Sequence, residues 1–109
     1  MIIGVAGPYS ANTREQRKKN LDAMNVAAAR LLKKGHVPLI GMNAALPVME
    51  QAKDLKDQYH AVMNISLAVI SACDALLLIA ESPGANRERD LVLAKGKPVY
   101  YSIEDVPEL

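Results

Sequence analysis

The chain contains no tryptophan and no phenylalanine, and four tyrosines are its whole aromatic content. Its core must therefore be aliphatic, with five methionines available to fill irregular gaps. A single cysteine, Cys73, excludes an intramolecular disulfide and any cysteine-based metal cluster, and it fits a reducing cytosol. Net charge is nearly absent. Thirteen Lys and Arg against twelve Asp and Glu leave +1, without the basic excess of a dedicated nucleic-acid binder. No apolar run reaches the ~18 residues of a membrane span. Residues 1–6 lack the basic n-region of a secretory signal and are expected to belong to the fold. The expectation is a cytoplasmic protein with neither a membrane nor a nucleic-acid polymer as partner.

What remains is globular material. A chain of 109 residues, half apolar and 23% charged, has room for one domain spanning 1–109. Residues 2–6 are a short apolar run closed by Gly7-Pro8, which reads as a buried strand. Thr13 is placed to cap a helix in which Leu21, Met24, Ala28, Leu31 and Leu32 recur at helical spacing, and Gly35 ends it. Residues 37–40 form a second strand. Gly41, Asn43 and Pro47 predict a loop over 41–57 with a short helical turn near 48–53. A helix comes next over 55–72, with Val62, Ile65, Val69 and Ala72 on one stripe. Leu67 and Ile70 lie off that stripe, as a second buried face. Residues 75–80 read as a central strand, 81–84 as a turn, 85–95 as a helix stopped by Gly96, and 98–101 as a last strand.

Apolar strands separated by helices imply a parallel sheet covered on both faces. The expected fold is a small doubly wound α/β domain of four to five strands, order 2-1-3-4. Ligands of such sheets bind beyond the carboxyl ends of the strands, where strand order reverses. Two loops meet there: Gly7-Pro8-Tyr9-Ser10 and Glu81-Ser82-Pro83-Gly84.

Glu88 is the sharpest candidate in this region. It falls in the first turns of a helix, whose positive end favours the ionised carboxylate, and its helical neighbours Leu91 and Val92 are apolar. Such a carboxylate can act as a nucleophile or bind a sugar hydroxyl, although the same position also suits a helix glutamate with no chemical duty. Arg87 and Arg89 read as solvated helix charges. Ser82, Gly84 and Ala85 open that helix, where a hydroxyl and free amides make a cradle for phosphate or carboxylate. Ser82 also suits a plain capping role ahead of Pro83. Tyr9 comes after Gly7-Pro8, where a glycine lets backbone approach a ligand closely.

Geometry removes other residues from the cleft. Asp74 and His36 begin strands, so they lie at the opposite sheet edge, roughly 20 Å away. His36 is expected at the surface or capping. Cys73 reads as a small buried side chain. His60 lacks a second ligand, so no metal site is expected. There is no P-loop, and Gly4-Val5-Ala6-Gly7 is not the dinucleotide fingerprint. Ser10, Asn12 and Thr13 do leave open a flavodoxin-like flavin carrier.

Three segments carry a family resemblance: the opening strand into Ala6-Gly7-Pro8-Tyr9-Ser10; Ala72-Cys73-Asp74-Ala75-Leu76-Leu77-Leu78; and Ser82-Pro83-Gly84-Ala85-Asn86-Arg87-Glu88, continuing to Gly96-Lys97-Pro98-Val99. Together they resemble the nucleoside 2-deoxyribosyltransferase-like family, which includes deoxynucleoside-monophosphate N-glycosidases. The resemblance implies cleavage of the N-glycosidic bond of a nucleoside or nucleotide, with no cofactor. Glu88 matches the family nucleophile and Tyr9 a residue near the sugar. Ser82 stands where nucleotide-cleaving members contact the phosphate, with Gly7, Pro8, Ser10, Gly84 and Ala85 around it. The resemblance also implies a homodimer. The sequence departs from the family pattern at Ser66, where members carry an Asp that helps fix the sugar and protonate the leaving base. Asp57, Tyr59 and His60 are the substitutes at the cleft end of the same helix. The alternative function is a module of the same fold that binds a nucleotide or sugar phosphate without cleaving it.

Overall fold

Burial is continuous from Ile3 to Ala6, and this run forms the first strand, β1 (Ile2–Ala6), of a computed structural model that describes residues 1–109. The helix α1 (Arg14–Lys33) starts where the Thr13 side chain accepts a hydrogen bond from the Gln16 amide at 3.1 Å, and Gly35 ends it with φ of +95°. β2 (Val37–Leu39) leads into α2 (Gly41–Gln51), and α3 (Gln58–Ser71) starts at Asp57, which accepts from the His60 amide. β3 (Ala75–Leu78), α4 (Pro83–Ala94), β4 (Val99–Tyr100) and a 3-10 turn (Ile103–Asp105) complete the chain.

All four strands are parallel, in the order β2-β1-β3-β4. The fold is thus α/β and doubly wound, flavodoxin/Rossmann-like, with the order 2-1-3-4. Alternation along the strands divides the core. Ile3, Val5, Ala75 and Leu77 face Met24 and Leu31 of α1, together with Ile103 and Val106. Ala6, Leu76 and Leu78 face Ile70, Ala85 and Val92 of α3 and α4. No helix is long and apolar enough to cross a membrane.

Three details differ from the sequence reading, each for a physical reason. Residues 41–51 are a helix rather than a loop. Gly41 is there because α2 begins against α3: a Cβ at Gly41 would lie 2.0 Å from Ser66 Oγ and 2.7 Å from Ser66 Cα. Pro47 is exposed inside α2, while Ala45 and Met49, four residues apart, are buried. That apolar burial overrides the proline's local penalty.

The buried stripe of α3 is Met63, Ser66 and Ile70, one residue out of step with the expected one. Val62, Ile65 and Val69 are half-buried and Ala72 is exposed. A polar Ser66 interrupts the apolar pattern that marks a core stripe, and Gly4 draws Ile70 inward, since a Cβ there would lie 2.5 Å from Ile70 Cδ1. His36, expected near the surface, is buried between the Met1 amino group (3.1 Å) and the Pro107 carbonyl (2.6 Å). Asp74 stands at the same edge and accepts from the Ile2 amide at 2.8 Å.

Candidate functional site

At the carboxyl edge of the sheet the exits of β1, β2 and β3 converge around a cavity of about 260 Å³. This is near the lower end of the range for small-molecule sites, roughly 300–1,000 Å³. Gly7, Pro8, Tyr9 and Ser10 line it from the loop after β1, and Ser82, Gly84, Ala85 and Glu88 from the turn after β3 and the start of α4. Ser66 joins them from the middle of α3. The structure therefore brings all nine candidate residues to one wall system.

Each is held there by local chemistry. Ser82 caps α4: its Oγ accepts from the Ala85 amide at 3.1 Å, with Pro83 in the first turn. The serine proton remains free to donate into the cavity. Gly7 is glycine for a packing reason, because a Cβ there would lie 2.7 Å from Ile79 Cγ1. Gly84 is different: a Cβ would meet nothing closer than Met63 Sδ at 3.7 Å, so the fold tolerates a side chain that the cavity would lose as space.

Glu88 is 7% exposed. Ser66 Oγ donates a hydrogen bond to its Oε1, and Ser66 is itself buried. Burial pushes the Glu88 carboxyl up to about 7, against the opposing effect of the serine bond. The helix end was expected to favour the ionised form; desolvation outweighs it, because Glu88 lies in the second turn of α4, beyond the reach of the terminal amides.

Glu88 is the one carboxylate lining the cavity. Of the residues named as substitutes for the missing acid, Tyr59 alone lines it. Asp57 and His60 are exposed and paired with each other at 2.8 Å, and the His60 amide and ring hold the Asp57 carboxyl below its usual range. Arg87 Nη1 donates to Tyr59 Oη at 2.9 Å, and its guanidinium lies 5.7 Å from the ring centroid. Arg87 is thus tied to the rim rather than merely solvated. Arg89 is half-buried and bonds Glu81 and Asp90, each at 3.1 Å. Burial pushes the Cys73 thiol up, as suits an inert packing residue.

Gly41 and Met42, at the exit of β2, complete the wall and were not singled out by sequence reasoning. The signal was available: in an open parallel sheet every strand exit on the carboxyl side is a candidate, and residue 41 lies just past the second strand.

A family model described as a domain of unknown function, DUF4406, matches residues 1–101. The chain belongs to the DUF4406 family. Among curated proteins no sequence match is found. The DUF4406 segment contains every cavity residue and all four strands, and stops just short of the 3-10 turn.

Proposed function

We propose that this chain cleaves the N-glycosidic bond of a (deoxy)nucleoside or its 5′-monophosphate through a covalent ester between the sugar and Glu88. The observation behind this reading is one nearly buried carboxylate in the wall of a cavity at the carboxyl edge of the sheet, between Tyr9 and Ser82. The resemblance to nucleoside 2-deoxyribosyltransferase-like proteins supports the same roles. A homodimer and a cytoplasmic location belong to this reading as well.

A Glu88 carboxylate oxygen attacks the anomeric carbon, and the bond to the base breaks with its electron pair leaving on the base nitrogen, which takes up a proton from solvent. Water, or a second base, then attacks the same carbon, giving up a proton to solvent as the ester breaks and returns the carboxylate. Two displacements retain configuration. Ser66 Oγ orients the nucleophile, and Tyr9 stands beside the sugar. The Ser82 hydroxyl and the Gly84 amide, the one N–H of the first turn of α4 not already bonded, hold the phosphate.

The test is a panel of nucleosides and nucleotides read by chromatography. Wild-type protein releases free base, and Glu88→Gln lowers kcat/KM by roughly a thousandfold or more. Equally slow release by both proteins overturns the reading.

One observation favours a second reading, in which the pocket binds a nucleotide without cleaving it. Retaining glycosidases use two carboxyl groups, and only Glu88 lines this cavity. Recovery of intact ligand after tight binding would decide for it.

A further inference from the structure

Past the rim of the Glu88 cavity, Tyr9 also lines a second, open groove of about 440 Å³. Arg14, Arg17 and Lys18 form its α1 side, and Leu46 and Glu50 its α2 side. Three cations against one carboxylate put a net +2 here, in a chain whose whole charge is +1. The cations occupy the first two turns of α1, the positive end of the helix, where positive side chains weaken it. A local choice that works against its own element marks a position held for something other than the fold.

The chain neutralises this groove only in part. Arg17 Nη1 donates to the uncharged Ala11 carbonyl at 2.8 Å. Lys18 pairs with Asp22 at 3.1 Å, but both side chains are more than half exposed, so water screens the pair. Arg14 has no hydrogen-bond or ion-pair partner. Glu50, the one carboxylate, is engaged by Lys53 at 3.3 Å.

We infer that this groove holds a second phosphate of the ligand whose glycosidic bond faces Glu88. The inference rests on the glycosidase reading above and narrows its substrate class to nucleotides bearing more than one phosphate. One phosphate lies at Ser82 and the Gly84 amide. The other passes Tyr9 to Arg14 and Arg17, whose guanidinium forks match phosphate oxygens in pairs, and to the Lys18 ammonium. That chemistry has two sources, a 5′-polyphosphate or separate phosphates at the 3′ and 5′ positions.

The test titrates deoxynucleosides, their 5′-monophosphates, 5′-triphosphates and 3′,5′-bisphosphates, for each common base, into Glu88→Gln protein by calorimetry at low and high salt. The same titrations use protein that also carries Arg14→Gln and Lys18→Gln. A further phosphate tightens binding at least roughly tenfold over the monophosphate. That increment shrinks in high salt and disappears with the two added substitutions, which leave the melting temperature unchanged or raise it. Whether the triphosphate or the bisphosphate gains more identifies the source. Equal affinity for one and for several phosphates, or an increment that survives Arg14→Gln and Lys18→Gln, overturns the inference. Base release by wild-type protein is read separately. An increment without release sinks the cleavage reading alone, release without an increment sinks the groove alone, and no binding of any nucleotide sinks both.

Discussion

A carboxyl group inside a cavity wall loses more hydration as an anion than as a neutral acid, and Glu88 shows the consequence. Its folded value of about 7 stands above the ordinary 4.5, so between those values the folded state holds a proton that the unfolded state has released. The stability contributed is complete below about 4.5 and is lost as pH rises through about 7, a swing of about 3 kcal/mol. Melting temperature therefore falls across that window in wild-type protein and stays flatter in Glu88→Gln, the variant being the more stable above pH 7; superimposable profiles would remove the buried anion from the account. Catalysis runs the other way. A nucleophile must be ionised, so kcat/KM rises with a midpoint of about 7. Ser66→Ala removes the bond that favours the anion and moves that limb to higher pH; a limb that falls with pH would mark Glu88 as a proton donor instead. The sequence was sufficient to place Glu88 near Tyr9 and Ser82, because strand exits and a helix start are local features, whereas Ser66 entered only through the family resemblance. The charge state of Glu88 was not legible, since desolvation depends on α3 packing over residue 88, and no spacing in α4 reports that.

Two glycines separate structural from functional demand at the level of elements. Gly41 lets α2 begin against α3, and a methyl group there collides with Ser66 backbone as well as its hydroxyl. Gly41→Ala should cost about 2 kcal/mol or more, because backbone cannot rotate away, and it should disturb the Ser66–Glu88 bond. Gly84→Ala meets only ordinary contact with Met63 and improves the first turn of α4. It should melt at or above the wild-type temperature yet bind nucleotide more weakly, as its Cβ takes cavity space. Thermal melts paired with ligand titration check both, and the contrast fails if Gly84→Ala destabilises or Gly41→Ala does not. The same pair of helices explains what was missed in the sequence. Glycine and proline are read as loop signals, but Gly41 answers to close helix approach and Pro47 is outvoted by Ala45 and Met49. The core stripe of α3 escaped the periodicity because its middle member, Ser66, is polar and belongs to the site. The inner face of α1 and the strands β1 and β3 were legible because burial decides them, whereas Leu32 and Val37, part of the same apolar reading, are exposed. Helices that pack on one another to make a pocket wall carry the demands of that wall in their sequence.

Across the whole molecule the two edges of the sheet have different duties. The carboxyl edge is open, with its polar groups directed at a cavity, whereas the amino edge is closed by bonds between segments far apart in sequence. There the Pro107 carbonyl can only accept, so His36 Nε2 carries the proton and Nδ1 accepts from the Met1 amino group. Lys34 Nζ donates to the carbonyls of Ile103 and Val106, both at 2.8 Å, and the Leu109 amide returns to the Lys34 carbonyl at 2.9 Å. These bonds hold the 3-10 turn onto α1, so that Ile103 and Val106 can finish the α1 face of the core. Lys34→Met keeps much of the aliphatic stem but deprives two carbonyls of a charged donor. It should cost about 2 kcal/mol and lower the melting temperature by about 10 °C. Base release at 25 °C should be unchanged, because the strands separate Lys34 from Glu88 by the full depth of the sheet. A matched loss of turnover in folded Lys34→Met protein would mean that the closed edge governs the open one, and the division between a stabilising and a reactive edge would have to be given up.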